Sequence, residues 1–278
     1  MKVIIQKPDL DTCMTALILG VADKDDIIVA QGDASETDLM NSEVLCIEAG
    51  GSGLAHLNSF DHHDPHKYFP PACRQAYEYR GLNDKRIERL VEYVCMVDDK
   101  VQDHPAIAFP SLSNIFSGML LVEKDKSVQF FKGIGILQKV LDENIDPFST
   151  MPDIEEWWPY KDAKNENQRR VEEVLRSAEF HESKSGLKIG FVESNFIGGI
   201  GVLYAQGCDV AIMFSPAFGE PPVAKFTIAG NNKKVGHLIE YFDKIEKGWG
   251  GRDTIVGSPR SGSNLTKDIV LEILVNNL

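Results

Sequence analysis

The sequence predicts an α/β protein with an N-terminal parallel-sheet α/β domain that includes a helical segment, followed by a smaller α/β C-terminal domain. Short β-branched runs at residues 3–5, 27–30 and 44–47 alternate with segments of helical spacing, a pattern typical of βαβ units and a parallel sheet. A long helical stretch follows, and a second set of short apolar runs begins after it. The length of 278 residues fits two domains when about 150 residues are taken for each.

The first domain is predicted as strands separated by helices, with a helical end. The strand at residues 3–5 is followed by a Pro-Asp turn and then by apolar residues at helical spacing. Residues 72–80 and 85–97 are predicted helices, and the second carries an apolar stripe. Residues 113–181 are predicted to be helical, broken by loops around residues 146–152 and interrupted by no strand.

A short polar stretch, Glu-Ser-Lys-Ser-Gly at residues 182–186, predicts the boundary between the domains because the periodicity changes after it. We therefore expect one domain at residues 1–182 and another at residues 187–278. In the second domain, strands and helices alternate along the chain. The predicted strands cover residues 187–192, 210–214 and 223–229, and the predicted helices cover residues 197–206, 235–247 and 265–275.

Composition places the chain among ordinary globular proteins. Hydrophobic residues make up 43% and charged residues 26%, which excludes a disordered, collagen-like or disulfide-scaffold protein. No apolar run approaches the ~20 residues that cross a bilayer, so no membrane association is expected. The N-terminus soon turns acidic, unlike a signal peptide, and the five scattered cysteines form no Cys-x-x-Cys pair. These features predict a cytoplasmic protein with reduced thiols.

The charge of the chain limits its partners. The formal net charge of −13 disfavours non-specific binding to duplex nucleic acid, whose affinity comes mainly from Lys and Arg that neutralise phosphates. A phosphorylated substrate would therefore need a local reversal of sign. Bound divalent cations, or a small cluster of Arg and His, would supply it.

Two carboxylates follow the first predicted strand, in the sequence Pro8-Asp9-Leu10-Asp11. Ligands of open parallel sheets bind at the carboxyl ends of the strands, so a site is expected here. Two carboxylates separated by one residue in a turn can converge on one hard cation. The alternative is a polar turn in which Asp11 caps the following helix.

A second cluster, which contains Asp61, His62, His63, Asp64 and His66, follows another apolar segment. Three histidines and two aspartates within six positions are hard to explain as packing or as a solvated face. Imidazole and carboxylate together favour Mn, Fe, Co or Zn over Ca. Because adjacent side chains of an extended segment point in different directions, one histidine is expected to bind metal and its neighbour to face a ligand.

A third candidate is the pair Asp98-Asp99 at the end of the predicted helix over residues 85–97. Asp98 follows Val94 by one helical step and therefore lies at the end of the apolar face, where a carboxylate needs a cationic partner or a metal. Asp99 points away from that face and is expected to be solvated. The alternative for both is an ordinary charged helix end.

A glycine-rich segment near the C-terminus, residues 248–263, is the fourth candidate. It contains Gly250-Gly251-Arg252 and, further on, Arg260. Glycines let backbone amides approach an anion, and Arg can hold a phosphate with two hydrogen bonds. The segment thus predicts a phosphate site, and the alternative is a hairpin and a loop with incidental arginines.

In this order, the motifs resemble the DHH superfamily of phosphoesterases, which includes exopolyphosphatases, manganese inorganic pyrophosphatases, single-strand exonucleases and oligonucleotide or cyclic-dinucleotide hydrolases. The resemblance spans nearly the whole chain. It is carried by Asp9-Leu10-Asp11 as the first motif, residues 44–51 as the second, Asp61-His62-His63 as the signature, Asp98 as the fourth-motif aspartate, and Gly250-Gly251-Arg252 as the glycine-rich motif of the C-terminal associated domain.

The resemblance implies a metal-dependent phosphohydrolase that cleaves a phosphoester or phosphoanhydride bond. Residues 1–182 would form the metal-binding phosphoesterase domain and residues 187–278 the phosphate-binding domain. Mn2+ is the expected metal, with Mg2+ or Co2+ as alternatives. The implied metal ligands are Asp9, Asp11, Glu48, Asp61, His62 and Asp98; the implied catalytic residues are His62 and His63; and the implied substrate-binding residues are His63, Gly250, Gly251, Arg252 and Arg260.

The chain departs from the family pattern at three places. Ile5, Gln6 and Lys7 stand where many members have a histidine before the first aspartates. Glu48 stands in place of an aspartate, and Arg252 in place of a histidine. The remaining donors suffice for one metal, and the sequence leaves open whether one or two are bound.

Two other functions remain open at this stage. The missing histidine is compatible with a catalytically impaired DHH-fold protein that binds a phosphorylated ligand without turnover. A hydrolase with a single zinc ion held by His62, His66 and Cys73 is the other alternative. The expected partner is a small phosphorylated substrate, namely polyphosphate, a nucleotide or a short oligonucleotide. The sequence leaves the oligomeric state open, with a homodimer as one alternative.

Overall fold

The structure, a computed structural model, describes residues 1–64, 66–99, 105–196 and 198–278. The chain divides into two compact units, Met1–Asn165 and Glu166–Leu278. Both contain a sheet and helices, so the predicted α/β class with two α/β parts is confirmed. The predicted boundary at residues 182–186 lies inside the second unit, because the strand that precedes it pairs with the sheet of that unit.

The first unit is an α/β unit with a helical end. Its elements are β1 (Lys2–Ile5), α1 (Leu10–Leu19), β2 (Asp26–Val29), α2 (Glu36–Leu39), β3 (Val44–Ile47), β4 (Ser59–Phe60), α3 (Ala72–Tyr79), α4 (Lys85–Asp98), α5 (Leu112–Val122), α6 (Lys126–Asp142) and the start of α7 (Trp158–Ser177). The four strands form a parallel sheet in the order β2-β1-β3-β4. The predicted strands and the predicted helices over residues 72–80 and 85–97 agree with these bounds to within one residue.

The central strands β1 and β3 are short and buried on both faces, as β-branched runs of a parallel sheet are expected to be. Their register pairs Ile5 with Ile47, and β3 in turn pairs Ile47 with Phe60 of β4. The chain therefore leaves all three strands at the same edge of the sheet. The residues that follow these strands are placed side by side there.

Helix α1 begins at that edge because Asp9 caps it. The Asp9 carboxylate Oδ1 accepts a hydrogen bond from the Thr12 amide at 3.0 Å, and the helix ends at Gly20 in a left-handed conformation with φ of 79°. The cap is thus Asp9, and the alternative in which Asp11 caps the helix is wrong. Asp11 lies in the first turn with its side chain buried.

The second unit has a mixed six-stranded sheet in the order β5-β6-β7-β8-β10-β9 among its described residues. Its elements are β5 (Glu179–Glu182), β6 (Lys188–Glu193), α8 (Gly199–Ala205), β7 (Val210–Phe218), β8 (Val223–Gly230), α9 (Ile239–Phe242), β9 (Gly250–Arg252), β10 (Ile255–Gly257) and α10 (Lys267–Asn277). Strands β6 and β7 are parallel, and the other pairs are antiparallel. Phe242 and Trp249 stack in its core with ring centroids 3.9 Å apart.

Two predictions for this region are wrong. Residues 179–181 belong to strand β5, whose sequence Glu-Phe-His-Glu has too few apolar residues to indicate a strand and which owes its structure to pairing with β6. The helix predicted over residues 235–247 shrinks to a 3-10 turn and the four residues of α9. Beyond α9, the carboxylates of Asp243 and Glu246 accept hydrogen bonds from loop amides and replace the helical pattern.

The predicted helix over residues 197–206 corresponds to α8, and its first residue, Ile197, lies outside the described residues. Among the helices that the structure describes, none combines the length and the hydropathy that a membrane span requires.

Candidate metal centre

The carboxyl edge of the parallel sheet gathers most of the acidic and imidazole side chains that the sequence singled out. Asp9 and Asp11 follow β1, Glu48 follows β3, and Asp61 and His62 follow β4. The short strands and their register explain this gathering, since each strand ends at the same level. A fold of this class binds its ligands at this edge.

Three of these side chains, together with Asp98 at the end of α4, lie close enough to hold one cation. Asp11, Glu48, His62 and Asp98 each offer a ligand atom, and these atoms lie within 4.8 Å of one another. His62 Nε2 is the centre of the group, at 3.1 Å from Glu48 Oε1 and 3.4 Å from Asp98 Oδ2. We refer to Asp11, Glu48, His62 and Asp98 as the four-ligand cluster.

His63 lies beside the cluster and is more accessible than its neighbour. Its Nδ1 is 3.9 Å from Glu48 Oε1, and the side chain is 57% exposed, against 16% for His62. Glu48, His62 and His63 form a second group that could hold a cation. The adjacent histidines therefore differ in exposure, because His62 is turned into the cluster and His63 faces outward.

Glu48 is held in place by its backbone and by one hydroxyl group. Its φ of 46° lies in the left-handed region, which a residue with a Cβ rarely adopts, and its amide donates to the Phe60 carbonyl at 2.8 Å. The Thr12 hydroxyl donates to Glu48 Oε2 at 2.7 Å. Strained backbone of this kind costs about 1–3 kcal/mol and is found mainly at functional sites.

Asp11 is fixed by the start of another helix. Its two carboxylate oxygens accept hydrogen bonds from the amides of Ala72 at 2.7 Å and Cys73 at 2.8 Å, in the first turn of α3. The side chain is buried, and these bonds keep it directed at the cluster. Two lone pairs of the carboxylate remain for a cation.

Asp9 lies next to the cluster without belonging to it. Besides capping α1, its Oδ2 is paired with the Lys7 ammonium group at 2.9 Å. Burial opposes ionisation of Asp9, but hydrogen bonds to Glu48, to the Thr12 amide and to Lys7 together lower the pKa of Asp9. Lys7 thus brings a positive charge to the position where the sequence lacks the usual histidine.

Asp61 joins the loops that follow β3 and β4. Its Oδ1 accepts from the Ser52 hydroxyl at 2.5 Å and from the His63 amide at 2.7 Å, and its Oδ2 accepts from the Gly50 amide at 3.1 Å. These bonds outweigh burial and lower the pKa of Asp61. Asp61 is in neither of the ligand groups that the described residues form, so its assignment to the metal stays a prediction.

The charges of the cluster are poorly compensated by the protein alone. Burial, together with the neighbouring aspartates, raises the pKa of Glu48 to about 8 in spite of its bond to His62, and burial raises the pKa of Asp11 to about 6. Burial also raises the pKa of Asp98. The hydrogen bond to Glu48 raises the pKa of His62 to about 9.

This electrostatic arrangement fits a divalent cation. Three carboxylates and one imidazole form a donor set of the kind that binds Mn, Fe, Co or Zn. A dication would balance carboxylates that otherwise hold protons, and it would replace a proton on His62. The residues present therefore fit the implied metal.

The structure distinguishes between several alternatives from the sequence. Asp98 reaches His62, whereas Asp99 is exposed at the helix end, so Asp98 is the better ligand candidate. Neither His66 nor Cys73 belongs to a ligand group among the described residues. Cys73 is buried, with its Sγ 3.8 Å from Cys95 Sγ. This geometry gives the single-zinc alternative no support.

The glycine-rich segment of the second unit forms the hairpin β9–β10, as the structural alternative predicted. Gly251 permits it, because a Cβ there would lie 2.0 Å from the Ile255 carbonyl oxygen. Arg252 and Arg260 are exposed, and neither forms an ion pair with a residue that the structure describes. Their role in phosphate binding stays a prediction.

Sequence reasoning missed the residues that orient the ligands. Thr12, Ser52 and Gly50 act through hydrogen bonds to Glu48 and Asp61, and such bonds leave no periodic pattern. Thr12 had one available signal, since it follows the capping residue Asp9 by three positions and thus lies in the first turn at the sheet edge.

Comparison with known proteins gives a match in structure only. No family model and no curated protein matches the chain. A pGpG-specific phosphodiesterase, PggH from Vibrio cholerae, is 16% identical over 99% of this chain and 97% of its own, with a TM-score of 0.55. RecJ from Thermus thermophilus, solved with Mn2+, is 13% identical over 98% of this chain and 50% of its own, with a TM-score of 0.35.

The similarity to PggH extends over both units. At this level of identity it establishes the fold. The chain therefore shares the fold of PggH.

Proposed function

We propose that the protein is a metal-dependent phosphohydrolase that cleaves a phosphoester or phosphoanhydride bond of a small substrate. The observation that carries this proposal is the four-ligand cluster, whose ligand atoms from four separate chain segments lie within 4.8 Å of one another. The fold shared with PggH, which is described as a pGpG-specific phosphodiesterase, supports the same reaction class.

In this proposal the four-ligand cluster holds a divalent cation, with Mn2+ first among the candidates. A cation bound there supplies positive charge to a phosphoryl group and lowers the pKa of water. Asp9 and Asp61 are proposed as further ligands, as the family resemblance implies. Asp61 also keeps the His63 loop in place through its hydrogen bonds.

The protein's own residues bind and orient the substrate. His63 is exposed beside the cluster and is suited to donate a hydrogen bond to a phosphoryl oxygen. Lys7, whose side chain is 60% exposed, adds a positive charge on the same side. Arg252 and Arg260, with the amides of Gly250 and Gly251, are proposed to bind a phosphate of the substrate.

The test is a metal-supplemented activity panel on the purified full chain. Mn2+, Mg2+ and Co2+ are each combined with bis(p-nitrophenyl) phosphate, tripolyphosphate and a 5′-phosphorylated dinucleotide. We expect metal-dependent turnover that His62→Ala abolishes and that His56→Ala, at an exposed histidine outside the cluster, leaves intact. Absence of turnover with every metal, despite tight binding of a phosphorylated ligand, would establish a ligand-binding protein instead.

A further inference from the structure

A cleft of about 370 Å³ in the first unit opens directly beside the four-ligand cluster. Asp9, Asp11 and Asp98 form the side of the cleft that borders the cluster. Its volume is within the ~300–1,000 Å³ range of small-molecule sites. A substrate whose phosphate reaches the cluster could therefore place its next chemical group in this cleft.

Other walls of the cleft are apolar. They are formed by Leu10 at the start of α1, Val97 at the end of α4, and Phe116 and Leu120 of α5. Every unit of a polyphosphate chain is charged and strongly hydrated, so a polyphosphate would lose hydration against these walls. The walls favour a group with apolar faces.

One edge of the cleft carries polar side chains that can form hydrogen bonds with the rim of such a ligand. Ser113, Asn114 and Ser117 lie with Leu120 on one half-buried face of α5. Asn114 Nδ2 donates to the Ile107 carbonyl at 3.2 Å, which directs the side-chain amide. The side-chain amide oxygen of Asn114 forms no hydrogen bond with a described residue and is available as an acceptor. The Ser117 hydroxyl donates to the backbone carbonyl of Asn114 at 3.2 Å, and its oxygen is also available as an acceptor.

A cation completes the cleft. Lys164 lies at its wall, half-buried, and its ammonium group has no ion-pair or hydrogen-bond partner among the residues that the structure describes. Burial lowers the pKa of Lys164. A half-buried ammonium without a partner is costly, and an anionic or electron-rich ligand group would relieve that cost.

The cleft differs in character from the second depression beside the cluster. That depression, of about 550 Å³, is lined mainly by polar and charged groups, which include Lys7, His63 and His66 and the carboxylates of Asp33, Glu48, Asp61 and Asp64. It suits water, and it suits a phosphate once a bound cation offsets the carboxylates. The cleft beside the cluster is thus largely apolar and the second depression is polar, just as the base of a nucleotide has apolar faces and its phosphate is polar.

We propose that this cleft, which we call the α5 cleft, binds a nucleobase. Besides the aspartates that border the cluster, it is lined by Leu10, Val97, Ser113, Asn114, Phe116, Ser117, Leu120 and Lys164. The substrate is then a nucleotide or a short 5′-phosphorylated oligonucleotide and not polyphosphate. A base has apolar faces for the leucine, valine and phenylalanine walls and hydrogen-bonding edges for Asn114 and the serines. This inference rests on the proposed function, because it places the phosphate of the same substrate at the four-ligand cluster.

The test measures binding, so that it does not depend on turnover. The Mn2+-loaded full chain is titrated in a calorimeter with AMP, GMP, ribose 5-phosphate and tripolyphosphate. We expect AMP or GMP to bind at least about tenfold more tightly than ribose 5-phosphate, which lacks the base, a difference of about 1.4 kcal/mol. Equal affinity for these ligands, or tightest binding of tripolyphosphate, would overturn the proposal.

A filled cleft provides the second comparison. Ser117→Phe places a ring in the cleft, and Val122→Phe on the same helix, at an exposed position that does not line the cleft, is the matched control. We expect Ser117→Phe to lose the preference for the nucleotide while it keeps the affinity for ribose 5-phosphate, and the control to retain both. Persistence of the preference in Ser117→Phe would overturn the proposal.

A milder variant guards against misfolding. Asn114→Ala keeps the backbone amide that bonds to Ser111 and removes only the side-chain amide. We expect it to weaken nucleotide binding and to leave ribose 5-phosphate binding unchanged, and equal binding of the nucleotide in wild type and variant would count against the proposal. Nucleotide binding without turnover would contradict the hydrolase alone, and turnover without a base preference would contradict the cleft alone.

Discussion

Asp61 gives the most direct test of how the centre is built. Its carboxylate receives three hydrogen bonds, two of which come from backbone amides of the loops that carry Glu48 and His63. The side chain is buried. If these bonds fix the two loops, Asp61 stabilises the fold even when no metal is present. The variant Asp61→Asn removes the charge and keeps the shape.

The expected loss follows from the three bonds. An amide oxygen can still accept from the Ser52 hydroxyl and the His63 amide, but each bond loses its charge assistance, about 1 kcal/mol. The side-chain amide nitrogen of the variant then faces the Gly50 N–H. Two hydrogen-bond donors face each other, and an unsatisfied buried donor costs about 1–3 kcal/mol. Because the loops can relax, we expect a loss of about 3 kcal/mol in the free energy of unfolding, at the low end of this range.

The assay is urea unfolding of the full chain in EDTA near neutral pH. Asp162→Asn, at an exposed carboxylate of the same unit, is the matched control and should unfold close to wild type. The pKa of Asp61 is lowered from its ordinary value of 3.8, so its contribution is present above that value and is lost as the pH falls through the lower folded one. The difference between variant and wild type should therefore shrink in acid. An Asp61→Asn midpoint equal to that of the wild type would refute this reasoning.

Three further predictions concern the metal and the packing. Because the pKa values of Glu48 and His62 are raised to about 8 and about 9, protons compete with a cation, so Mn2+ affinity should rise between pH 6 and pH 8, with proton release seen by calorimetry in buffers of different ionisation enthalpy. Mn2+ at about 100 times its dissociation constant should stabilise the protein by about 2.7 kcal/mol in thermal unfolding, and Asp98→Asn should reduce that gain. Gly133→Ala should lower the free energy of unfolding, measured in urea, by about 1–3 kcal/mol, because its Cβ would lie 2.6 Å from the Cys13 sulfur. Gly135→Ala on the same helix, where nothing lies within 4 Å, should raise stability by about 1 kcal/mol.

The sequence predicted the scaffold of the first unit well because its signal is local. A run such as residues 44–47 is short, β-branched and apolar, and the observed strand β3 has the same bounds. The ends of such strands could be predicted too, since Glu48 follows β3 directly and Asp9 comes four residues after the end of β1. The prediction failed where structure depends on a distant partner, as in β5, whose pairing with β6 no local pattern announces.

The candidate site was predictable in its chemistry and less so in its geometry. Asp11, His62 and Asp98 come from segments far apart in the chain, and only the fold decides that they meet while Asp99 does not. That Asp9 lies beside the cluster and not in it could not be predicted, because this depends on Lys7, whose ammonium group pairs with the Asp9 carboxylate. Side-chain pairs of this kind are set by rotamers and leave no periodicity in the sequence.

The costs collected at the cluster are themselves an argument for a bound cation. Glu48 has a backbone conformation that a side chain with a Cβ rarely adopts, and its carboxylate is buried beside Asp11 with a raised pKa. A fold maintained for stability alone would favour an apolar residue at such a position, since an uncompensated buried carboxylate is unfavourable. Exceptions to local rules of this kind concentrate at functional sites. A dication between Glu48, His62 and Asp98 would turn the buried carboxylate into a ligand and give a reason for the backbone conformation that directs it. Measuring whether Asp98→Asn loses the metal-dependent stabilisation tests that claim without any substrate.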